Sequence, residues 1–293
     1  MRIMTSNIWG DYFNNPPSGR DAKLYGVYRK YAPDVIGFQE VTKGWYGSPL
    51  FEWMSEDYYL VGTERFETKN FVPMAIKKEL PLIAKGFEYL ENTPDASKAI
   101  TWAVIRRDGE TVALCNTHFW WMRGTEPEAA RAKKGVLDFS TADHCRLRER
   151  NAEQLTALMK HLNSQYSCPV FAFGDMNATI AEGVFDVYRQ NGVRPLLELA
   201  AEKDTVCSIH GDPVKDEKGV FRGKRATEEY ITSFRRVLCL PEATDAAGCF
   251  TSIDHIVALG DGFRVVQYRV IEDQDALDAT DHSPVLADIE FLM

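Results

Sequence analysis

The stretch that most constrains this chain is Val170-Phe171-Ala172-Phe173-Gly174-Asp175-Met176-Asn177. Its small and apolar residues read as a buried strand, and a glycine ends the run. Asp175 and Asn177 are two apart, which puts both on one face of an extended backbone. A carboxylate and a carboxamide held together at the end of a buried strand are costly unless they have partners. Gly-Asp and Asn-Ala are also ordinary turn dipeptides. Taken alone, the stretch fits a strand-end turn as well as a site.

The rest of the chain repeats the pattern. Arg2 to Ile8 reads as a first strand, Arg20 to Tyr31 as a helix stopped by Pro33, and Asp34 to Val41 as a strand ending on Gln39 and Glu40. Lys43 to Met54 reads as one helix and Tyr58 to Val61 as a strand, followed by a charged turn over 64–70. Phe71 to Ile76, Leu80 to Tyr89, Ile100 to Arg106 and Thr111 to Phe119 read as an antiparallel meander that delivers Asn116-Thr117-His118 at its far end. Arg146 to Asn163 is an amphipathic helix with Leu147, Leu155, Leu158, Met159 and Leu162 as its stripe. Ile180 to Gln190 and Pro195 to Glu202 read as helical, and Thr205 to Arg225 as a surface excursion. Ser252 to Val257, Phe263 to Ile271 and Pro284 to Phe291 read as strands, with a loop from Leu277 to Ser283. No internal repeat or long polar linker interrupts the chain. The expectation is one domain over 1–293, with insertions at about 120–145 and 205–248.

Each candidate core strand finishes on a residue able to bind metal or phosphate: Asn7, Glu40, His118, Asp175 with Asn177, Asp254, and Asp281 with His282. Ligands gather where the strands of such sheets end. Carboxylate oxygens select a hard cation such as Mg²⁺, with Mn²⁺ as an alternative. No clustered cysteines and no His-x-x-x-His pair argue for zinc. Each residue also has a plain reading: a turn cap for Asn7, a first exposed residue for Glu40, a satisfied core histidine for His118. Asp254-His255 and Asp281-His282 are adjacent pairs, so only one member of each need face the site.

Composition narrows the class. A net charge of −9 over 293 residues argues against a general nucleic-acid binder. No apolar run reaches the roughly 20 residues needed to span a bilayer. The amino terminus enters a strand pattern without the apolar core of a signal peptide. Cys115, Cys145, Cys168, Cys207, Cys239 and Cys249 are scattered without a CxxC pair. The expectation is a monomer in a reducing cytoplasm.

Six pieces in order carry a resemblance: Thr5-Ser6-Asn7-Ile8, Asp34 to Glu40, Asn116-Thr117-His118, Gly174-Asp175-Met176-Asn177, Ser252-Ile253-Asp254-His255 and Thr280-Asp281-His282-Ser283-Pro284. The chain resembles the endonuclease/exonuclease/phosphatase superfamily of DNase I-like enzymes, in its uncharacterised bacterial form. The resemblance implies a four-layer α/β sandwich, with two mixed sheets packed face to face and helices outside. It implies a Mg²⁺-dependent phosphoester hydrolase of the phosphodiesterase or phosphatase type, in which water attacks phosphorus. In those terms Glu40, Asn7 and Asp281 form the metal set. Asp175 orients or deprotonates the water, and Asn177 holds Asp175 or a phosphate oxygen. His282 contacts the phosphate with Asp254 behind it, and His118 serves the phosphate or the leaving group.

The motifs do not specify the ester. Trp120 with nearby cations offers a stacking surface, though an ordinary lid packed on a rim is the favoured reading. Arg148 matches a family helix position, against the plainer reading of a solvated helix charge. The acidic balance favours a small phosphoester or a nucleic-acid end. A sequence-tolerant DNA or RNA nuclease and a catalytically silent binding protein are the alternatives.

Overall fold

Alternation along the first strands decides how the layers stack. The computed structural model describes residues 1–12, 14–63, 70–91, 93–204, 206–237 and 252–292. In chain order the strands are β1 (Arg2–Asn7), β2 (Val35–Gln39), β3 (Tyr58–Val61), β4 (Met74–Lys77), β5 (Leu82–Tyr89), β6 (Ala99–Arg107), β7 (Glu110–His118) and β8 (Val170–Asp175). They continue with β9 (Arg194–Pro195), β10 (Glu202–Lys203), β11 (Val214–Lys215), β12 (Phe221–Arg222), β13 (Asp254–Leu259), β14 (Phe263–Val270) and β15 (Val285–Phe291). The helices are α1 (Arg20–Tyr31), α2 (Lys43–Tyr46), α3 (Leu50–Met54), α4 (Glu128–Lys133), α5 (Thr141–Tyr166), α6 (Gly183–Gln190), α7 (Leu196–Leu199), α8 (Glu228–Val237) and α9 (Gln274–Ala279).

In β1 and β2, Ile3 and Val35 join the core between the sheets, while Met4, Ile36 and Phe38 join the cluster under α1 and α3. Asn7 and Gln39 therefore fall on the inner face. A seven-stranded sheet runs β10-β14-β15-β1-β2-β4-β3, and a six-stranded sheet runs β5-β6-β7-β8-β13-β9. They meet through β1, β2 and β15 on one side and β7, β8 and β13 on the other. α1, α3 and α9 cover the first sheet and α5 the second, which gives the expected four-layer α/β sandwich of mixed sheets. Among the described residues, no helix is long and apolar enough to cross a membrane.

Several elements differ from the sequence reading. The meander holds only β5, β6 and β7; β4 pairs antiparallel with β2 and β3 in the other sheet. The reason is burial, since Met74, Ala75 and Ile76 are enclosed on both faces while β5 alternates as an edge. The helix expected over 43–54 breaks into α2 and α3 around Gly47-Ser48-Pro49. Only Leu196–Leu199 is helical in the 195–202 stretch, and α9 occupies the start of the expected 277–283 loop. α5 begins at Thr141, because Ser140 and Asp143 close a capping box there. Residues 64–69 of the charged turn, residues 238–251 of the second insertion, and with them Cys239 and Cys249, lie outside the described residues. Cys115, Cys145, Cys168 and Cys207 are free thiols.

One polar clamp ties the sheets together. Asn116 on β7 is fully buried, and its Nδ2 donates to the Phe38, Val72 and Pro73 carbonyls at 2.8, 3.0 and 2.9 Å. Its Oδ1 accepts from Gln39 Nε2 at 2.6 Å. Gly37 permits this closeness, since a Cβ there would lie 2.5 Å from Asn116 Oδ1 and 2.4 Å from the Phe173 ring. An aspartate at this position would face three carbonyl oxygens with no proton to offer. We expect Asn116→Asp to lower stability by about 3 kcal/mol or more, read as a drop in thermal midpoint. A midpoint unchanged from wild type would refute the clamp.

Candidate active site

Asp175 is the centre of the site because two strand pairings end on it. In the six-stranded sheet it lies level with His118 on parallel β7 and with Asp254 on antiparallel β13. Gly174 precedes it at φ +151°, and a Cβ there would meet Thr117 O at 2.0 Å. Only glycine lets β8 run this close to β7.

Five chain segments bring side chains to this point. Asn7 Nδ2 donates to Asp175 Oδ2 at 3.0 Å and to Glu40 Oε1 at 3.3 Å. Asn7 itself is aimed by Trp9 N, which donates to its Oδ1 at 3.1 Å. Glu40 follows β2 at φ 61°, and its Oε2 accepts from Gly10 N at 2.9 Å. His118 Nε2 lies 3.4 Å from Asp175 Oδ2, and His282 Nε2 lies 4.0 Å from the same atom. His282 Nδ1 pairs with Asp254 Oδ2 at 2.8 Å. Asn177, at φ 47°, donates its N–H to Asp175 Oδ1 at 2.9 Å and its Nδ2 to Phe119 O at 3.2 Å. Positive φ at Glu40 is local strain held beside Asp175, while Asn177 takes the left-handed region that asparagine tolerates. Thr280 Oγ1 ties the His282 loop to β1 by donating to Asn7 O at 2.8 Å.

The electrostatics divide the group. Burial, reinforced by Asp254, pushes the Asp175 carboxyl up to about 6, against His282, Lys98 and the Asn177 N–H. Burial, with Glu40 and Asp212 nearby, pushes Asp281 up to about 7 against His282. The two histidines go opposite ways. Burial opposes charge on His282, but Asp254, Asp281 and Asp175 outweigh it and hold the imidazole well above its usual range. Burial, Lys98 and His282 hold His118 well below its own. His282 is thus a cation near neutral pH and His118 a neutral ring.

This donor set fits a hard divalent cation. Ligand atoms of Glu40, His118 and Asp175 lie within 4.8 Å of one another, as do those of Asp175, Asp254 and His282. Carboxylate oxygens of Glu40, Asp175 and Asp254 dominate, and Asp254 Oδ1 is buried without a partner. The upward shifts of Asp175 and Asp281 come first from burial and then from neighbouring carboxylates, and a cation offsets both.

Two residues expected at the substrate lie elsewhere. Trp120 is fully buried, donates its indole N–H to His144 Nδ1 at 2.9 Å and stacks on that ring at 5.8 Å, so no face is open to a base. Arg148 is not a solvated helix charge: it is buried, donates to Met122 O at 2.8 Å and lies 3.5 Å from Glu182. Arg123 joins them, bonding Glu182 and Asn177 O, so this arginine pair braces the loop after Asp175. His255, the other half of the Asp254 pair, turns away to the Ala178 and Ser252 carbonyls at 2.9 Å.

The sequence reading missed the 207–210 run, which it placed on the surface. Cys207, Ser208, Ile209 and His210 are buried. Ser208 Oγ donates to Asp254 Oδ2 at 2.7 Å, and Ile209 bridges to His282. His210 lies beside His282 with both ring nitrogens unpartnered. The apolar Val206-Cys207-Ser208-Ile209 run before Gly211 was the available signal.

Comparison with known proteins agrees with this geometry. No curated protein sequence matches the chain. Among solved structures, an endonuclease/exonuclease/phosphatase family protein from Bacteroides thetaiotaomicron superposes with TM-score 0.67 at 16% identity, covering 100% of this chain and 98% of that one. A mannosyl-6-phosphatase from Bacteroides thetaiotaomicron gives 0.65 at 16% identity over 99% and 100% of the two chains. TDP2 from C. elegans gives 0.61 at 14% identity over 99% of this chain and 74% of that one. At these identities the likeness is one of fold. A profile of the Endonuclease/Exonuclease/phosphatase family matches residues 4–282, nearly the whole chain. The chain therefore belongs to the endonuclease/exonuclease/phosphatase family, whose members are metal-assisted phosphoester hydrolases.

Proposed function

We propose that the protein is a Mg²⁺-dependent hydrolase of a small phosphoester, acting as a monomer in the cytoplasm. The observation that carries this reading is one buried carboxylate, Asp175, bracketed by a carboxamide at 3.0 Å and by two imidazoles at 3.4 and 4.0 Å in opposite charge states. Pairs of titratable groups pushed apart by their surroundings mark acid and base roles.

Glu40, Asn7 and Asp281 are the residues that would hold the metal ion. A bound divalent cation supplies positive charge against the anionic phosphoryl oxygens. Asp175, at about 6, is poised near neutrality to take a proton from the attacking water, and Asn7 and Asn177 fix its two oxygens. The His282 imidazolium, held by Asp254 and indirectly by Ser208, donates to a phosphoryl oxygen as negative charge builds there. Neutral His118 donates to the phosphate or the leaving oxygen. The mannosyl-6-phosphatase of like fold and the −9 charge both favour a small ester over long nucleic acid.

Purified protein assayed with p-nitrophenyl phosphate, bis(p-nitrophenyl) phosphate, a hexose phosphate, plasmid DNA and RNA tests the reading. We expect turnover of a small ester with Mg²⁺ or Mn²⁺ and its loss on chelation. Inactivity on every substrate in both metals sinks the hydrolase. Turnover confined to DNA or RNA favours a nuclease instead.

Two variants test the roles. Asp175→Asn removes the base, and kcat should fall about 10²–10⁴-fold while the protein stays folded. Near wild-type turnover would remove Asp175 from its role. Asp281→Asn deletes a carboxylate that burial and its neighbours disfavour. The chelator-treated variant should melt about 2–4 °C higher, the shift of about 1 kcal/mol in a large domain, and should bind Mg²⁺ more weakly. A lower midpoint with unchanged Mg²⁺ affinity would exclude Asp281 from the metal set.

A further inference from the structure

Lys98 is the last residue before β6, and only 3% of it is exposed. Its backbone closes a tight loop: Leu90 N donates to Lys98 O at 2.9 Å and Lys98 N donates to Asp95 O at 3.1 Å. Ile100 is level with Thr117 in the antiparallel β6–β7 register, so Lys98 arrives at the end of β7 beside His118. Asp95 is the nearest acidic residue in sequence, but its carboxylate is already engaged. Its Oδ1 accepts from Ser97 N at 3.0 Å and Ser97 Oγ at 2.7 Å, and its Oδ2 accepts from Lys134 Nζ at 2.7 Å. Burial opposes ionisation of Asp95, yet Lys134, Lys98 and Ser97 together pull it down to about 2.

Lys98 is thus a buried side chain whose ammonium makes no side-chain hydrogen bond or ion pair among the described residues. Burial pushes it down to about 8, against the pull of Asp95, Asp175 and Glu40. Its field in turn acts on His118 and Asp175. A buried charge without a partner costs several kcal/mol unless something completes it. In the strand order β6-β7-β8-β13, Lys98 flanks Asp175 on one side, and the Asp254–His282 couple flanks it on the other. A phosphoryl group held at Asp175 would have a cation on either side.

We propose that Lys98 is a substrate-binding residue that donates to a non-bridging phosphoryl oxygen and selects a phosphomonoester over a phosphodiester. A monoester carries one more terminal oxygen than a diester and, when fully ionised, one more negative charge. A second fixed cation opposite His282 answers that extra oxygen and charge. In a diester the corresponding oxygen is esterified, and Lys98 gains nothing from it. The inference rests on the hydrolase reading above.

The test pairs Lys98→Met, which keeps the aliphatic stem, with Lys98→Arg, which keeps the charge. Inorganic phosphate is titrated by calorimetry in the presence of Mg²⁺. Steady-state kinetics are measured on p-nitrophenyl phosphate and bis(p-nitrophenyl) phosphate, and thermal midpoints without ligand. For Lys98→Met we expect phosphate affinity and monoester kcat/KM to fall about 10- to 100-fold, the loss of one charge-assisted hydrogen bond. Diester kcat/KM should fall less than monoester kcat/KM by about 5-fold or more, since only the monoester loses the hydrogen bond, and the ligand-free midpoint should hold or rise because an unpaired charge is gone. Lys98→Arg should recover part of the monoester loss. Unchanged phosphate affinity, or equal losses on both esters, would overturn the proposal. A lowered midpoint with no change in phosphate binding would make Lys98 structural. A wild type that turns over neither ester but binds phosphate through Lys98 would overturn the hydrolase reading alone.

Discussion

Everything at the site depends on keeping the Asp175 carboxylate inside the protein. It is 2% exposed at the end of a strand buried along its whole length. Water cannot solvate it, so the fold supplies the hydrogen bonds: the Asn177 N–H on one oxygen and the Asn7 carboxamide on the other. Both donors are themselves held, Asn7 by the Trp9 N–H and Asn177 by a φ of 47° that turns its backbone back toward Asp175. That chain of constraints fixes the carboxylate without neutralising it. A fixed, partly compensated carboxylate in a water-poor place is what a general base near neutrality requires.

The sheets must be locked at a fixed separation for this to work, because the donors come from both. Asn7 and Glu40 belong to the seven-stranded sheet, and Asp175, His118 and Asp254 to the six-stranded one. Apolar packing between sheets tolerates small slips, whereas directional bonds do not. The Asn116–Gln39 pair supplies the direction, and it sits at the end of β2 just before Glu40 and two residues before His118. Thr5 extends it by donating to Gln39 Oε1 at 3.2 Å. The polar core residues nearest the site therefore set register between the layers, while the candidate site residues lie just beyond them.

That division explains what was legible in the sequence. Strand ends announce themselves where an apolar run stops on a polar residue, and Asn7, Glu40, His118 and Asp175 were readable that way, whereas Asp254 and His282 stand ahead of their strands and were read from the order of the motifs. The four-layer fold was implied by the resemblance those motifs carry, and the apolar runs agreed with it. Residues whose partners lie far along the chain were not readable. Ser208 reaches Asp254 across 46 residues, and Asn116 reaches Phe38 across 78. β4 was put in the wrong sheet because local pattern reports that a strand is buried and not which neighbour buries it. Arg148 looked like a helix surface charge because its carboxylate, Glu182, stands on a different segment of the chain. Trp120 stayed open as a stacking platform beside the favoured packed lid, because aromatic character is visible in sequence and burial of the ring is not.

The two histidines carry this point into the chemistry. His118 and His282 have the same intrinsic basicity and touch the same carboxylate, at 3.4 and 4.0 Å. What separates them is what stands behind each ring. Asp254 bonds His282 Nδ1 at 2.8 Å and Asp281 lies next to it in sequence, while His118 has Lys98 on its flank. A ring backed by carboxylates keeps its proton and can give it to an anion; a ring backed by an ammonium stays neutral and can serve only as a hydrogen-bond partner. Exchanging those backings would exchange the roles without moving either histidine. The arrangement of acids and cations around Asp175 thus acts as one unit, in which each ring takes its protonation state from the charged groups beside it.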